Sequence, residues 1–167
     1  DTTAQLAPAI PIEANDPTRL AVSPDGEALA VATLDDRIQL YDLETGEPTD
    51  DLEPPGTITG LSFSPIGEEL AVTTSDGLAQ VWDAAGGEVL QEFEHPGLLT
   101  NPDFSPDGDR LAGTDPANFA VPIFDLETGE REQILRWMET ASPALYGASF
   151  SPDWEQLAWV ARGTVQL

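Results

Sequence analysis

A four-residue turn returns along this chain at nearly constant spacing, and that repeat limits the fold more than any other feature. "SPDG" at 23–26 recurs as "SPIG" at 64–67, "SPDG" at 105–108 and "SPDW" at 151–154, in steps of 41, 41 and 46 residues. An apolar residue precedes each Ser: Val22, Phe63, Phe104 and Phe150. Leu-Ala pairs follow at a fixed offset: Leu29-Ala30, Leu70-Ala71, Leu111-Ala112 and Leu157-Ala158. Further on, an aromatic residue and an aspartate stand together as Tyr41-Asp42, Trp82-Asp83 and Phe124-Asp125. A period of this length marks stacked supersecondary units, each too small to bury its own apolar faces.

Within one period the pattern is that of strands. "TGLSF", "LAVTT", "AQVWD" and "VLQEFE" are short and rich in β-branched, aromatic and aliphatic residues. The separators are turn chemistry. Pro suits the second position of a tight turn and Gly its end. "LETGE" at 43–47 and 126–130 supplies a glycine for a hairpin, and "SDG" at 75–77 does the same between the second and third strands. Each unit is therefore expected to be a four-stranded antiparallel meander. The runs "LAVAT", "LAVTT" and "LAWVA" are apolar without alternation, so both faces of those strands need cover from neighbouring sheets. Meanders stacked face to face about an axis form a β-propeller. "REQILRWMET" at 131–140 is read as an outer strand followed by an enlarged loop.

These motifs make the chain resemble the WD-repeat β-propeller family, in the form of divergent, bacterial-type repeats. The segment "FSPIGEELAVTTSDGLAQVWDAAGGEVLQEFEHPG" (63–97) carries the resemblance most fully. The resemblance implies structural roles for the aromatic-Asp pairs Tyr41-Asp42, Trp82-Asp83 and Phe124-Asp125. It places the tight-turn acid at Asp35 and Asp76, with Asn118 in the third repeat and Asp115 in the same loop. The structural histidine falls on His95 alone; Glu13, Pro54 and Ala141 take its place elsewhere. Periplasmic Tol-associated propellers share the "SPDG" and "DLETGE" turns and are a neighbouring resemblance.

The expected fold is all-β, a propeller of four-stranded antiparallel blades with about four blades present and the last incomplete. The blades are expected near 18–53, 57–94, 99–137 and 144–167, with 8–13 as an outer strand of a closing blade. Because the family ordinarily closes with about seven blades, 1–167 reads as part of a longer propeller. Two paired half-rings and a closed four-blade ring are the alternatives.

Charge narrows the partners. Thirty-one Asp and Glu face six Arg and no Lys, for a formal charge of −25. Such a field repels nucleic acid and anionic membrane surfaces and favours a basic protein or peptide. No apolar run approaches the length of a membrane helix. The chain contains no cysteine, which removes disulfides and thiolate chemistry together.

Little here points to catalysis or to a cofactor. His95 is the one histidine, and it sits in "EHPG", where a structural histidine is expected. A zinc site lacks ligands, and no spacing matches a calcium loop. The acid pairs Glu68-Glu69 and Asp50-Asp51 are read as solvated turn charges. Asp25, Asp107 and Asp153 are read as turn residues bonding their own backbone.

Five residues stand out as candidate partner contacts. Trp137 and Met138 lie in the enlarged segment, and exposed side chains of this size make good anchors. Trp154 replaces a turn glycine and is expected either to be exposed or to cover a blade edge. Arg37 and Arg162 occupy equivalent hairpin loops, as possible ion-pair partners in an acidic rim. The function expected is a non-enzymatic interaction or assembly scaffold. The alternative is a carboxylate-channel lyase or hydrolase, calcium-dependent in one form.

Overall fold

The computed structural model describes residues 16–136, 145–161 and 164–166. Among these, every regular element is a strand, and the strands form four antiparallel sheets in chain order. The first sheet holds β1 (Pro17–Val22), β2 (Ala28–Thr33), β3 (Ile38–Asp42) and β4 (Pro48–Leu52). The second holds β5 (Ile58–Phe63), β6 (Glu69–Thr74), β7 (Leu78–Asp83) and β8 (Val89–Glu94). The third holds β9 (Thr100–Phe104), β10 (Arg110–Thr114), β11 (Ala120–Asp125) and β12 (Glu130–Arg136). The fourth holds β13 (Leu145–Phe150), β14 (Leu157–Ala161) and β15 (Thr164–Gln166). Each is a meander and a propeller blade. Residues 8–13, Trp137, Met138 and Arg162 lie outside the described residues.

The recurring turns are built as their sequences require. In the first, the Ser23 hydroxyl donates to Asp25 Oδ1 (2.5 Å) and also accepts from the Ala28 amide (2.8 Å). The turn closes with Gly26 at φ 77°, a left-handed conformation that costs glycine nothing. Ser105 and Asp107 repeat the arrangement, as do Ser151 and Asp153. In the fourth blade the glycine's place belongs to Trp154, at φ 57°. A bulky side chain is rarely held there, so something must compensate. Trp154 stacks on Phe150 with ring centroids 4.3 Å apart and joins the apolar layer under the third blade.

The signature aspartates serve the outer hairpins. Asp42 Oδ1 accepts from the Thr45 amide (2.7 Å) and hydroxyl (2.9 Å). Asp125 does the same with Thr128. Asp50 and Asp51, expected in a turn, instead lie within β4, and Glu69 opens β6 half-buried. β4 continues through Asp50 and Asp51 because an outer strand leaves most of its side chains in solvent.

Packing between blades follows one rule. Leu61, Phe63, Leu70, Val72 and Trp82 of the second blade meet Ala30, Ala32, Ile38, Leu40 and Leu52 of the first. The opposite face of the second blade, with Ala71, Ala79, Val81 and Phe93, meets Phe104, Leu111 and Phe124 of the third. Ala112, Val121 and Ile123 then meet Ala148, Phe150 and Leu157 of the fourth. At each seam one face of a blade packs on the opposite face of the next. Each fully buried large apolar side chain contributes about 1.5–3 kcal/mol. The central strands β2 and β6 are consequently buried on both faces.

The innermost strands β1, β5, β9 and β13 succeed one another side by side. Where β5 meets β9 the approach leaves no room for a side chain. A Cβ on Gly60 would lie 2.3 Å from Pro102 Cδ. The Thr59 hydroxyl donates to the Leu99 carbonyl across the same seam. The described sheets do not close into a ring, and on the leading face of the first blade Leu20 and Val22 are 71% and 51% exposed.

Candidate functional site

The one buried polar cluster lying between blades, among the described residues, centres on His95. Its Nε2 lies 2.7 Å from Asp115 Oδ2, and the two side chains are only 3% and 1% exposed. Asn118 donates its side-chain amide to the same carboxylate oxygen (2.8 Å). The amides of Ala117 and Asn118 bond the other oxygen, at 3.1 and 3.0 Å. Burial alone pushes the Asp115 carboxyl up, yet the bonds from His95 and Asn118 outweigh it and hold the carboxyl below its ordinary value. The cluster ties the connection after β8 to the β10–β11 hairpin. A buried, saturated carboxylate of this kind positions a loop; it presents no open face to a substrate.

Asp115 also explains why the third hairpin differs. By the offset from Leu111 it stands where Thr33 and Thr74 stand in the first two blades. There, the Thr33 hydroxyl donates to Asp35, and the Thr74 hydroxyl donates to Asp76 Oδ1 (2.5 Å). In the third blade one carboxylate replaces the hydroxyl-acid pair, with Asn118 supporting it.

The acidic side chains divide into two sets. The turn acids Asp25, Asp42, Asp107, Asp125 and Asp153 accept local hydrogen bonds, from Ser23, Thr45, Ser105, Thr128 and Ser151 foremost, and these hold their carboxyls below the ordinary value. They are consumed by the fold. The second set lies on the outer strands and the hairpin rim. Among the described residues the arginine ion pairs are those of Arg37, with Asp51 (3.5 Å) and Glu53 (2.9 Å), and of Arg110, with Glu132 (2.7 Å). Glu69, close to Glu68 and Asp83, has its carboxyl pushed up by burial first and by those two charges second.

Two rim clefts gather acids of the second set. One, of about 230 Å³, is lined on the first blade by Thr33, Asp35, Arg37, Gln39 and Asp51. The other, of about 330 Å³, lies on the second blade, where Asp76, Leu78, Glu92 and Glu94 line it beside Pro55. Of the five candidate contacts, Arg37 therefore sits in a cleft and is held there by two carboxylates. Trp154 is half-buried over the edge of a blade. Sequence reasoning passed over Glu92 and Glu94; their offset from Asp51 and Glu53, one repeat earlier, was the available signal.

No group of three His, Cys, Asp or Glu suited to a metal ion occurs among the described residues. No helix of the structure is long and apolar enough to cross a membrane.

Comparison with known proteins agrees with this architecture. Residues 46–83 match the family model described as WD domain, G-beta repeat. That span runs from the outer hairpin of the first blade to Asp83, the end of β7. The resemblance carried by the sequence motifs is thus met by the family model over those residues. No curated protein matches the chain.

Proposed function

We propose that this chain, whose second blade carries a WD-type repeat, is a non-enzymatic interaction scaffold with an acidic docking rim for a basic protein or peptide. Repeats of this family generally mediate protein–protein interaction and scaffolding. One observation supports the finer reading best. The turn acids are engaged by their own hydroxyls and amides, while the outer-strand acids Glu92 and Glu94 remain exposed with no arginine across from them. Exposed acids left without an arginine opposite them, on a rigid surface, attract and orient a cationic partner.

The test is fluorescence anisotropy of a labelled arginine-rich peptide and of its glutamate-rich counterpart, titrated with the full chain. Saturable binding of the first peptide alone supports the proposal. Binding of neither, or equal binding of both, overturns it.

A further inference from the structure

The second blade departs from its neighbours around one apolar groove of about 440 Å³. Ala28 of the first blade lines it, with Gly67, Ala84, Ala85 and Leu90 of the second. The outer hairpins of the first and third blades read "DLETGE" at 42–47 and 125–130, but that of the second reads "DAAGGE" at 83–88. Leu43 packs on Leu29, Val31 and Tyr41, and Leu126 packs on the apolar layer between the second and third blades. Ala84 stands in the same place. Its amide bonds the Glu68 carbonyl (3.0 Å), as those of Leu43 and Leu126 bond Glu27 and Asp109 (2.7 and 2.9 Å). The shorter side chain leaves the groove open.

Two further positions differ in the same direction. The bulged residue of the outer strand is Leu90 in the second blade, against Thr49 and Glu132 in the first and third. Glu69 opens β6 where Arg110 opens β10. In the third blade Arg110 and Glu132 form their own ion pair, at 2.7 Å. That blade thus supplies a leucine and a guanidinium from its own chain, and the second supplies neither.

An independent observation concerns Ile66, which precedes Gly67. In the other Ser-Pro turns Asp25, Asp107 and Asp153 each accept from the turn serine's hydroxyl (2.5 Å) and from an amide two residues on. Ile66 can accept neither bond, and it is 68% exposed. A turn that forgoes its own hydrogen bonds to hold an aliphatic side chain in solvent breaks the local rule its siblings obey. Such departures concentrate at functional sites. The acids beside the groove are also less engaged. Gly86 replaces the hairpin threonine, so Asp83 accepts from the Ala85 amide (2.9 Å) and receives no threonine hydroxyl.

We propose that this groove docks a segment of a protein partner carrying a leucine-like aliphatic side chain next to an arginine. The inference rests on the scaffold reading above and narrows it to one groove of the second blade and one pair of side chains. The aliphatic group takes the place that Leu43 and Leu126 fill in the neighbouring blades, against Ala84, Ala85 and Leu90, and Ile66 extends the apolar rim. The guanidinium takes the place of Arg110, beside Glu69, Glu68 and Asp83. Their mutual charge, after burial, pushes the Glu69 carboxyl up, and a cation relieves that crowding.

The experiment is an NMR titration of the ¹⁵N-labelled full chain with acetyl-Gly-Arg-Leu-Gly-amide. Two control peptides replace the leucine by alanine or the arginine by citrulline. Saturable shifts are expected at the amides of Gly67, Glu69, Ala84, Ala85 and Leu90, and each control binds about tenfold more weakly. Ala84→Leu, which copies the first and third blades, removes the shifts. Leu90→Thr, which copies the first, weakens them should Ala84→Leu not fold. No shifts at the groove, an alanine control that binds as tightly, or unaltered shifts in folded Ala84→Leu overturn the site. Binding of the arginine-rich peptide with the groove amides unmoved by either peptide overturns the groove and leaves the scaffold reading standing. Failure of both peptides to bind overturns both.

Discussion

His95 Nε2 and Asp115 Oδ2 stand 2.7 Å apart in a place that water does not reach, and this contact joins two blades. Removing the carboxylate leaves a buried imidazole nitrogen, the Asn118 amide and two hairpin amides without their acceptor. Asp115→Ala is expected to lower stability by roughly 3 kcal/mol, since each buried unsatisfied polar group costs about 1–3 kcal/mol. Denaturant melts check this; a loss within error would mean that the hairpin holds itself.

Gly77 meets the same connection from the other side. It has φ 94°, and a Cβ there would lie 2.0 Å from the His95 carbonyl oxygen and 2.4 Å from that of Gly97. Both neighbours are backbone and cannot swing aside. Gly77→Ala is expected to destabilise by roughly 3 kcal/mol from strain and overpacking together. Gly26→Ala meets nothing within 4 Å, so it loses only the backbone term, about 1 kcal/mol. Comparing the two thermal melts separates conformation from contact.

Trp154 sets two effects against each other. Restoring the repeat's glycine with Trp154→Gly relieves a left-handed backbone worth about 1 kcal/mol. It also removes the stack on Phe150 and the cover over Ile123 and Leu157. Truncating a fully buried Trp costs about 3–5 kcal/mol, and this one is half-buried. The packing term wins, and a net loss of about 1 kcal/mol is expected by denaturant titration.

Stability should pass through a maximum as pH falls. Glu69, and Asp103 of β9, whose carboxylate accepts from the Phe150 amide (3.4 Å), have folded carboxyls raised above ordinary values, by burial in the first place. The folded state favours their protonated forms, so stability rises as pH drops through their folded pKa values. Asp25, Asp42, Asp107, Asp115, Asp125 and Asp153 are depressed below 3.8. Their contribution is present above the unfolded value and is lost as pH falls through the folded values. Relief of the −25 charge acts with the first group. A melting-temperature maximum is expected at about pH 4–5; a monotonic decline from pH 7 would contradict the assignment.

Much of this architecture is legible in the sequence because it repeats. The offsets of Leu29, Leu70 and Leu111 from their Ser-Pro turns are enough to place the central strands. The unbroken apolar runs also require cover on both faces. What escaped were features set by tertiary register. Asp50 and Asp51 resemble turn residues in isolation, yet they belong to β4 because its pairing with β3 continues through them. The partnership of His95 with Asp115 spans twenty residues and depends on how one hairpin folds against the next connection. The acids Glu92 and Glu94 gain meaning only beside Arg37, since a missing cation shows only when its counterpart is seen in place.

The most direct measurement of the central claim is the affinity of the full chain for an arginine-rich peptide across a series of salt concentrations, by calorimetry. An acidic docking rim predicts saturable binding at low salt that weakens steadily as the Debye length shortens. Absence of binding at low salt, or an affinity indifferent to salt, would contradict it.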